Sequence, residues 1–516
     1  MDLFLAQYKE RITGVLSAPD RLIFRGTLRQ LCMAENTARW YAWRGVGLGG
    51  FENHIWPESK RLKKHAEDMA KRLGRPYEHL ASSKIGKQER ADEIARRDKI
   101  REGLVCVFGA TETCWSFRVR KDPAAKYPQL KREERRCLFL YFYFKDREFG
   151  LMHVRLQTLP PFDMQIYING REWLALMMDR EGLGYERQKN CFVSLEDAER
   201  AQKLADLMPR FHWTGAFRAF ADRVNPLLKK ALGGRKYFWT LREAEYATDI
   251  MFKDEKALQE CYPHFLHVAI TNFSSEDVLK FFERRVKRDF AGTIETDLKR
   301  LPEGIRVRHR LNQNWVKMYD KQGTVLRIET TINSPKGYRV RRQVRRGGKV
   351  LMKWTILRKG VGDFYRWVEI ARSVNGRYLD AIASVPLIKP SRDILDPVSR
   401  PVIKKKLRYR ALRPVSIEDS RLFASIMRGE FHLRGFRNHD LRASLFPDPP
   451  SNPTEAKRHA AYVTRKTRLL RAHGMVRKVS GSSYYRVTRR GVAIMATALN
   501  LRNYDVNSFP LPRKTA

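Results

Sequence analysis

Three side chains in one short stretch, Tyr319, Asp320 and Glu329, are of the types a metal-dependent strand-nicking site uses. Such a site needs carboxylates to hold a divalent ion, Mg²⁺ or Mn²⁺, beside the scissile phosphate. Asp320 and Glu329 alone make an incomplete set. Asp20, Glu243, Glu245 and Asp249 would complete it only if the fold converges them. The same stretch supports a plainer chemistry, in which Lys317, Lys321 and Arg327 bind phosphates and Glu329 orients an arginine. The chain offers no Walker A loop, no G-x-S-x-G elbow and no His-Glu-x-x-His helix, and its six cysteines include no C-x-x-C pair. No cofactor is therefore expected unless the nicking reading holds, and the scattered cysteines are expected to be reduced thiols.

These residues need paired strands to bring them together. Trp315 to Lys321, a turn at Gln322-Gly323, and Thr324 to Thr330 predict a β-hairpin with Lys317, Tyr319, Arg327 and Glu329 on related faces. Just downstream, Lys336, Arg339, Arg341, Arg342, Arg345, Arg346 and Lys349 form a run without an acid, with a second hairpin expected at Gly347-Gly348.

Around these hairpins the patterning predicts a multidomain α+β protein, with mixed N-terminal regions, antiparallel sheets and a helical C-terminal domain. Its divisions are expected at 1–130, 131–255, 256–399 and 400–516. Gly103 to Gly109 and Cys137 to Phe144 read as buried strands. Aromatics at Phe139, Tyr141 and Tyr143 suit a stacking platform, but seven consecutive apolar residues favour burial on both faces. Helical patterns are read at Lys60–Leu73, Thr240–Met251 and Ser275–Asp289, the last without a full capping box.

Charge narrows the partners. Lys plus Arg number 102 against 57 Asp plus Glu, a formal net charge of +45 over 516 residues. So large an excess repels itself unless a polyanion neutralises it, and phosphate backbones also release counterions on binding. The cations are spread over the whole length and no apolar run is long enough to span a bilayer, so nucleic acid, DNA or RNA, is the expected partner rather than membrane. The start carries no cationic, apolar leader, and a cytoplasmic, nucleoid-associated setting is expected.

The C-terminal region carries the most ordered pattern. Ser416–Gly429, Phe436–Leu441 onward and Thr454–His473 read as helices, and Gly474 sits where a C′ glycine belongs. Met475–Val479 and Tyr484–Thr488 read as short strands around Ser480-Gly481-Ser482-Ser483, and an apolar helix follows Gly491. From Thr454 to Arg490 there are eleven cations and one acid, Glu455. This order resembles the winged helix-turn-helix of bacterial regulators, and departs from it in the proline-rich FPDPPSNP turn before the third helix. The resemblance implies that Arg458, Arg465 and Arg468 face a major groove, and Lys466 of the same helix is also expected to bind nucleic acid. It places Lys478 and Arg486 beside the wing tip, and Lys404, Lys405 and Lys406 in the linker leading in.

Two further resemblances are weaker. The K-x-Y-D-K and R-x-E of the first hairpin are similar to a segment of rolling-circle replication initiators, which implies a nicking carboxylate. That family's His-hydrophobe-His metal motif is missing, since His264-Phe265-Leu266-His267 has the wrong spacing. The blocks Asp20–Gly26, Leu156–Thr158, Asn169–Trp173, Ala247–Ile250 and the hairpin together resemble a group of long basic bacterial proteins, a likeness that brings no mechanism. The expectation is a nucleic-acid-binding protein of a mobile-element or replication system. The alternatives are a metal-dependent nickase and a winged-helix transcriptional regulator. A small-ligand sensor needs no such charge, which disfavours the regulator.

Overall fold

The structure, a computed structural model, describes residues 1–80, 86–121, 127–229, 231–284, 292–301, 304–385, 391–404, 406–428, 431 and 435–503. Its early strands are β1 (Ile12–Thr27), β2 (Tyr77–Leu80), β3 (Gly103–Arg120), β4 (Gln129–Asp146), β5 (Gly150–Gln157) and β6 (Met164–Asn169). There follow β7 (Tyr185–Gln188), β8 (Cys191–Leu195), β9 (Phe238–Phe252), β10 (Ile294–Leu301), β11 (Gly304–Leu311), β12 (Asn314–Lys321) and β13 (Val325–Ile332). The last are β14 (Arg339–Arg346), β15 (Lys349–Ile356), β16 (Val402–Lys404), β17 (Leu407–Tyr409), β18 (Val476–Lys478) and β19 (Tyr485–Val487). The helices that matter here are α1 (Phe51–Arg72), α2 (Gly170–Arg180), α3 (Ser275–Phe281), α4 (Phe364–Ala383), α5 (Ile417–Ile426), α6 (Asn438–Leu445), α7 (Pro453–Ala472) and α8 (Arg489–Asn503). The fold is α+β and multidomain. Among the described residues no helix is long and apolar enough to cross a membrane.

The chain divides into two compact units, each discontinuous in sequence: Arg11–Glu255 with Gln313–Asn375, and Met1–Glu10 with Lys256–Asn312 and Gly376–Ala516. In the first, strands run in the order β12-β13-β9-β1-β6-β5-β4-β3-β2, so strands from residues 1–130 and 131–255 share one sheet. Among these described strands only β2 and β3 pair in parallel; the other neighbours are antiparallel. Phe139, Tyr141 and Tyr143 are buried, as a strand covered on both faces requires, and leave no ring free for a base.

Two expectations are corrected. Thr240–Met251 is not a helix but most of β9, held between β1 and β13. Its spacing of Leu241, Ala244 and Ala247 mimics a helical period, and pairing on both edges overrides that local preference. The helix at Ser275 ends at Phe281, and it does carry a full capping box, set one residue earlier at Ser274 and closed by Asp277. Residues 282–284 of the expected extension are not helical, and the rest, 285–289, lies outside the described residues.

Strand β1 is central, yet it contains Pro19, which has no N–H to give to a ladder. The register shifts there, between Pro19, opposite Tyr246, and Leu22, opposite Ala244. This bulge turns Asp20 into the interior, where it is buried. Helix α2 starts hard against the same point: a Cβ on Gly170 would lie 2.2 Å from the Pro19 carbonyl oxygen. Asn169 caps that helix, its side-chain oxygen accepting from the N–H of Arg171 and Glu172.

The C-terminal part of the second unit has its own core, including Leu422, Phe423, Phe436, Leu441, Val463, Leu470, Met475 and Met495. The order is α5, α6, α7, the β18–β19 hairpin, then α8. A one-residue bridge joins Phe436, between α5 and α6, to Tyr485 of β19. Gly474 takes φ +72° where α7 ends.

Candidate functional site

Two places in the molecule gather the charged side chains singled out by the sequence. The first is the β12–β13 hairpin. Its register puts Lys317 opposite Glu329 and Tyr319 opposite Arg327, so the expected grouping of these residues is present. Asp320, next after Tyr319 and opposite Leu326, falls on the other face, as a period of two dictates, and accepts a hydrogen bond from the Gly323 N–H at the turn. Burial, with the charge of Glu255 nearby, pushes its carboxyl up to about 6. Asp320 therefore does not join Tyr319 and Glu329.

The chemistry of the grouped residues is that of a charge-compensated network. Glu329 is 4% exposed; one carboxylate oxygen takes the Lys317 ammonium and the other takes the Tyr319 hydroxyl at 2.8 Å. Burial opposes the Glu329 charge, but Lys317, the Tyr319 hydroxyl and Arg327 together outweigh it and hold the carboxyl below its ordinary value. Burial and the adjacent Glu329 charge push the Tyr319 hydroxyl well above its ordinary value, so it stays a donor. Glu245 of β9 sits 3.6 Å from the same ammonium. Burial and repulsion from Glu329 raise its carboxyl to about 7. Arg21 pairs with Glu243 and reaches Glu245 at 3.7 Å.

Deeper in, Arg327 is 1% exposed and spends its guanidinium on protein groups. It makes a bidentate pair with Asp249 at 2.6 and 2.8 Å, meets Asp20 at 2.9 Å, and donates to the Asn190 carbonyl at 3.0 Å. Arg171 of α2 approaches Asp249 at 3.1 Å and donates to the Ala247 carbonyl, while its Nε and Nη1 have no partner among the described residues. Burial alone would raise the Asp249 carboxyl; Arg171 and Arg327 outweigh it and hold it low. Asn190 donates to Asp20 and accepts from Asn169. The blocks singled out around Asp20, Asn169–Arg171, Asp249 and the hairpin thus converge on one buried network. Leu156–Thr158 does not join it: Thr158 bonds to Ser59 and Gln157 to the Trp115 carbonyl.

Of the carboxylates proposed as metal ligands, Asp320 stands apart; Asp20 and Asp249 meet at Arg327, and Glu245 and Glu329 meet at Lys317, so cations lie between them. Among the described residues, no group of three His, Cys, Asp or Glu side chains is placed to hold a metal ion. Arg327 has no side left for a phosphate, and Glu329 is engaged by a lysine rather than by an arginine. Sequence reasoning missed Asn190 and quoted Arg171 only within the Asn169–Trp173 block, without a role, because nothing local marks them as partners of residues so distant in the chain.

The second place is the C-terminal surface. Arg458, Arg465 and Arg468 are exposed on one face of α7, with Lys457 and Arg471 beside them. Lys466 is corrected: it is 7% exposed and turned inward, 2.6 Å from Glu418 and 3.4 Å from Asp419. Lys478 is exposed with its neighbour Arg477, which sequence reasoning had left out. Arg486 is half-buried, 3.7 Å from Glu276. Lys404 and Lys406 are exposed; Lys405 lies outside the described residues.

The remaining cations lie on or beside the hairpins of the first unit. Lys321 is half-buried, with its ammonium 5.9 Å from the Tyr319 ring. Arg339, Arg341 and Arg345 are exposed on β14, where they stand opposite Ile356, Trp354 and Val350 of β15. Arg342, on the other face, is tied to Asp363. Arg346 and Lys349 pair across the Gly347-Gly348 tip.

No protein-family model matches this chain, and no curated protein matches it. Among solved structures it aligns with the di-domain ARO/CYC BexL from the BE-7585A biosynthetic pathway, at 10% identity over 58% of this chain and 96% of that one. The TM-score of that alignment is 0.13, too low to bear on fold or function.

Proposed function

We propose that this protein binds nucleic acid, and that its C-terminal region is a winged-helix module that seats α7 in the major groove of DNA. The observation that carries the reading is the outer face of α7: Lys457, Arg458, Arg465, Arg468 and Arg471 are exposed there, while its one acid, Glu455, lies in the first turn. A B-form major groove admits a helix, whereas the deep, narrow groove of A-form RNA does not, which favours DNA for this module. The Phe436–Tyr485 bridge supports it further, since it ties the segment ahead of α6 to the hairpin that would serve as the wing. Arg477 and Lys478 then lie at the start of that wing, in reach of flanking phosphates.

The reading is tested by titrating duplex DNA with the full chain at several salt concentrations. Affinity falls steeply with salt, and Arg465→Glu with Arg468→Glu lowers it about tenfold or more at fixed salt, with a slope shallower by about 0.9 for each phosphate that is no longer neutralised. Affinity independent of salt, or unaffected by the double charge reversal, overturns it.

A further inference from the structure

Strands β14 and β15 form a two-stranded sheet of their own, apart from the large sheet of their unit. The root of this arm is fixed. Tyr338 and Leu357 are buried and joined by a backbone hydrogen bond, and Asp363 gathers Arg342, Arg366 and the Arg358 N–H. The tip is bare, because Gly347 and Gly348 both take positive φ, at 56° and 72°. Between root and tip, one face shows a row of uncovered apolar side chains on β15: Val350 is 53% exposed, Met352 56%, Trp354 61% and Ile356 64%. Directly opposite Val350, Trp354 and Ile356 on β14 stand Arg345, Arg341 and Arg339, with Gln343 opposite Met352, and the Arg341 guanidinium lies 5.8 Å from the Trp354 ring centre. From Lys336 to Lys359 the sequence has ten cations and no acid.

An isolated hairpin with so much apolar surface in water is a binding element rather than a stable end in itself. Its occupant must be anionic throughout and must also offer flat apolar surface at short intervals. Along this face arginines stand beside Val350, Trp354 and Ile356, whereas a membrane-surface element segregates cations and apolar groups onto opposite sides. Unpaired nucleotides meet the requirement, with base faces to stack on Trp354 and its aliphatic neighbours and phosphates for the arginines. An intact duplex keeps its base faces covered.

We propose that the β14–β15 arm binds unpaired nucleotides of single-stranded DNA or RNA, a role that stands independently of the winged-helix reading. The test uses the full chain against labelled oligothymidylate, oligouridylate, a DNA duplex, and phosphatidylserine–phosphatidylcholine vesicles. Trp354→Ala with Met352→Ser is expected to weaken single-strand binding about tenfold or more while duplex binding and the melting temperature stay unchanged. Which oligonucleotide binds more tightly assigns DNA or RNA. Arg465→Glu with Arg468→Glu should spare single-strand binding, so failure of the duplex module and failure of the arm are read separately. Unchanged single-strand affinity in the arm variant overturns the proposal, as does an equal loss on duplex, or a loss confined to vesicles.

Discussion

Arg327 and Arg468 carry the same guanidinium and meet opposite fates. Around Arg327 lie Asp20 and Asp249, all three buried, with each charge cancelled at hydrogen-bond distance. Around Arg468 lies solvent, on a helix face with cations before and after it. The buried network joins strands β1, β9 and β13, and its carboxylates are spent on internal pairs. The outward cations of α7 and β14 have few acids nearby and so present positive charge to solvent. Residue type is thus a poor guide to role in this protein; what separates the two regions is whether a carboxylate reaches the cation before water does.

The comparison breaks most easily at its buried end. Arg327→Met leaves Asp20 and Asp249 without their shared cation, and the expected loss of stability is about 3–5 kcal/mol, measured by urea denaturation. A loss below about 1 kcal/mol would mean that the network is not what ties these strands together. Lys466→Met is the intermediate case. Asp419 keeps Arg410 and the Arg413 N–H, and Glu418 is largely exposed, so the cost should be about 1–2 kcal/mol with duplex affinity per folded molecule unchanged. A drop in affinity without loss of stability would move Lys466 to the outward group.

The buried end also carries a pH dependence. Glu245 is raised from its usual 4.5 to about 7, so between these values the unfolded chain releases this proton before the folded one. Its contribution therefore makes stability fall as pH rises through that window, and level off above it. The lowered carboxyls of Glu329 and Asp249 act in the opposite sense, losing stability only on further acidification. Glu245→Gln should remove the fall, which denaturation curves at about pH 5 and about pH 8 would reveal as a smaller difference than in the unaltered protein.

Much of this was legible in the chain itself. The turn at Gln322-Gly323 and the alternation on either side place Lys317, Tyr319, Arg327 and Glu329 in one hairpin, but the pairing of Lys317 with Glu329 comes from a loop that also takes in Thr324, which the sequence pattern assigns to the strand. The same alternation also separates Asp320 from them, so its place in a shared site was excluded by the period of two alone. Helical spacing put Arg458, Arg465 and Arg468 on one stripe, but it did not set Lys466 apart, because the acids that draw it inward belong to α5. The partners of Arg327 were beyond reach for a similar reason. Asp20 is 307 positions away, and Asp249 lies in a strand whose local spacing imitates a helix. Pairing across the large sheet, which no window of neighbouring residues encodes, decides both.

The slip in register at Pro19 sets a limit on how this chain can change length. Beyond it, the remainder of β1 alternates with Leu22 and Phe24 inward, and a further shift against β9 between Ile23 and Phe24 leaves that alternation intact. Deleting or inserting one residue between Pro19 and Leu22 would exchange inside for outside along the whole distal half of a central strand and withdraw Asp20 from Arg327 at the same stroke. Substitutions in this segment can be absorbed one side chain at a time, but a change of length by a single codon cannot.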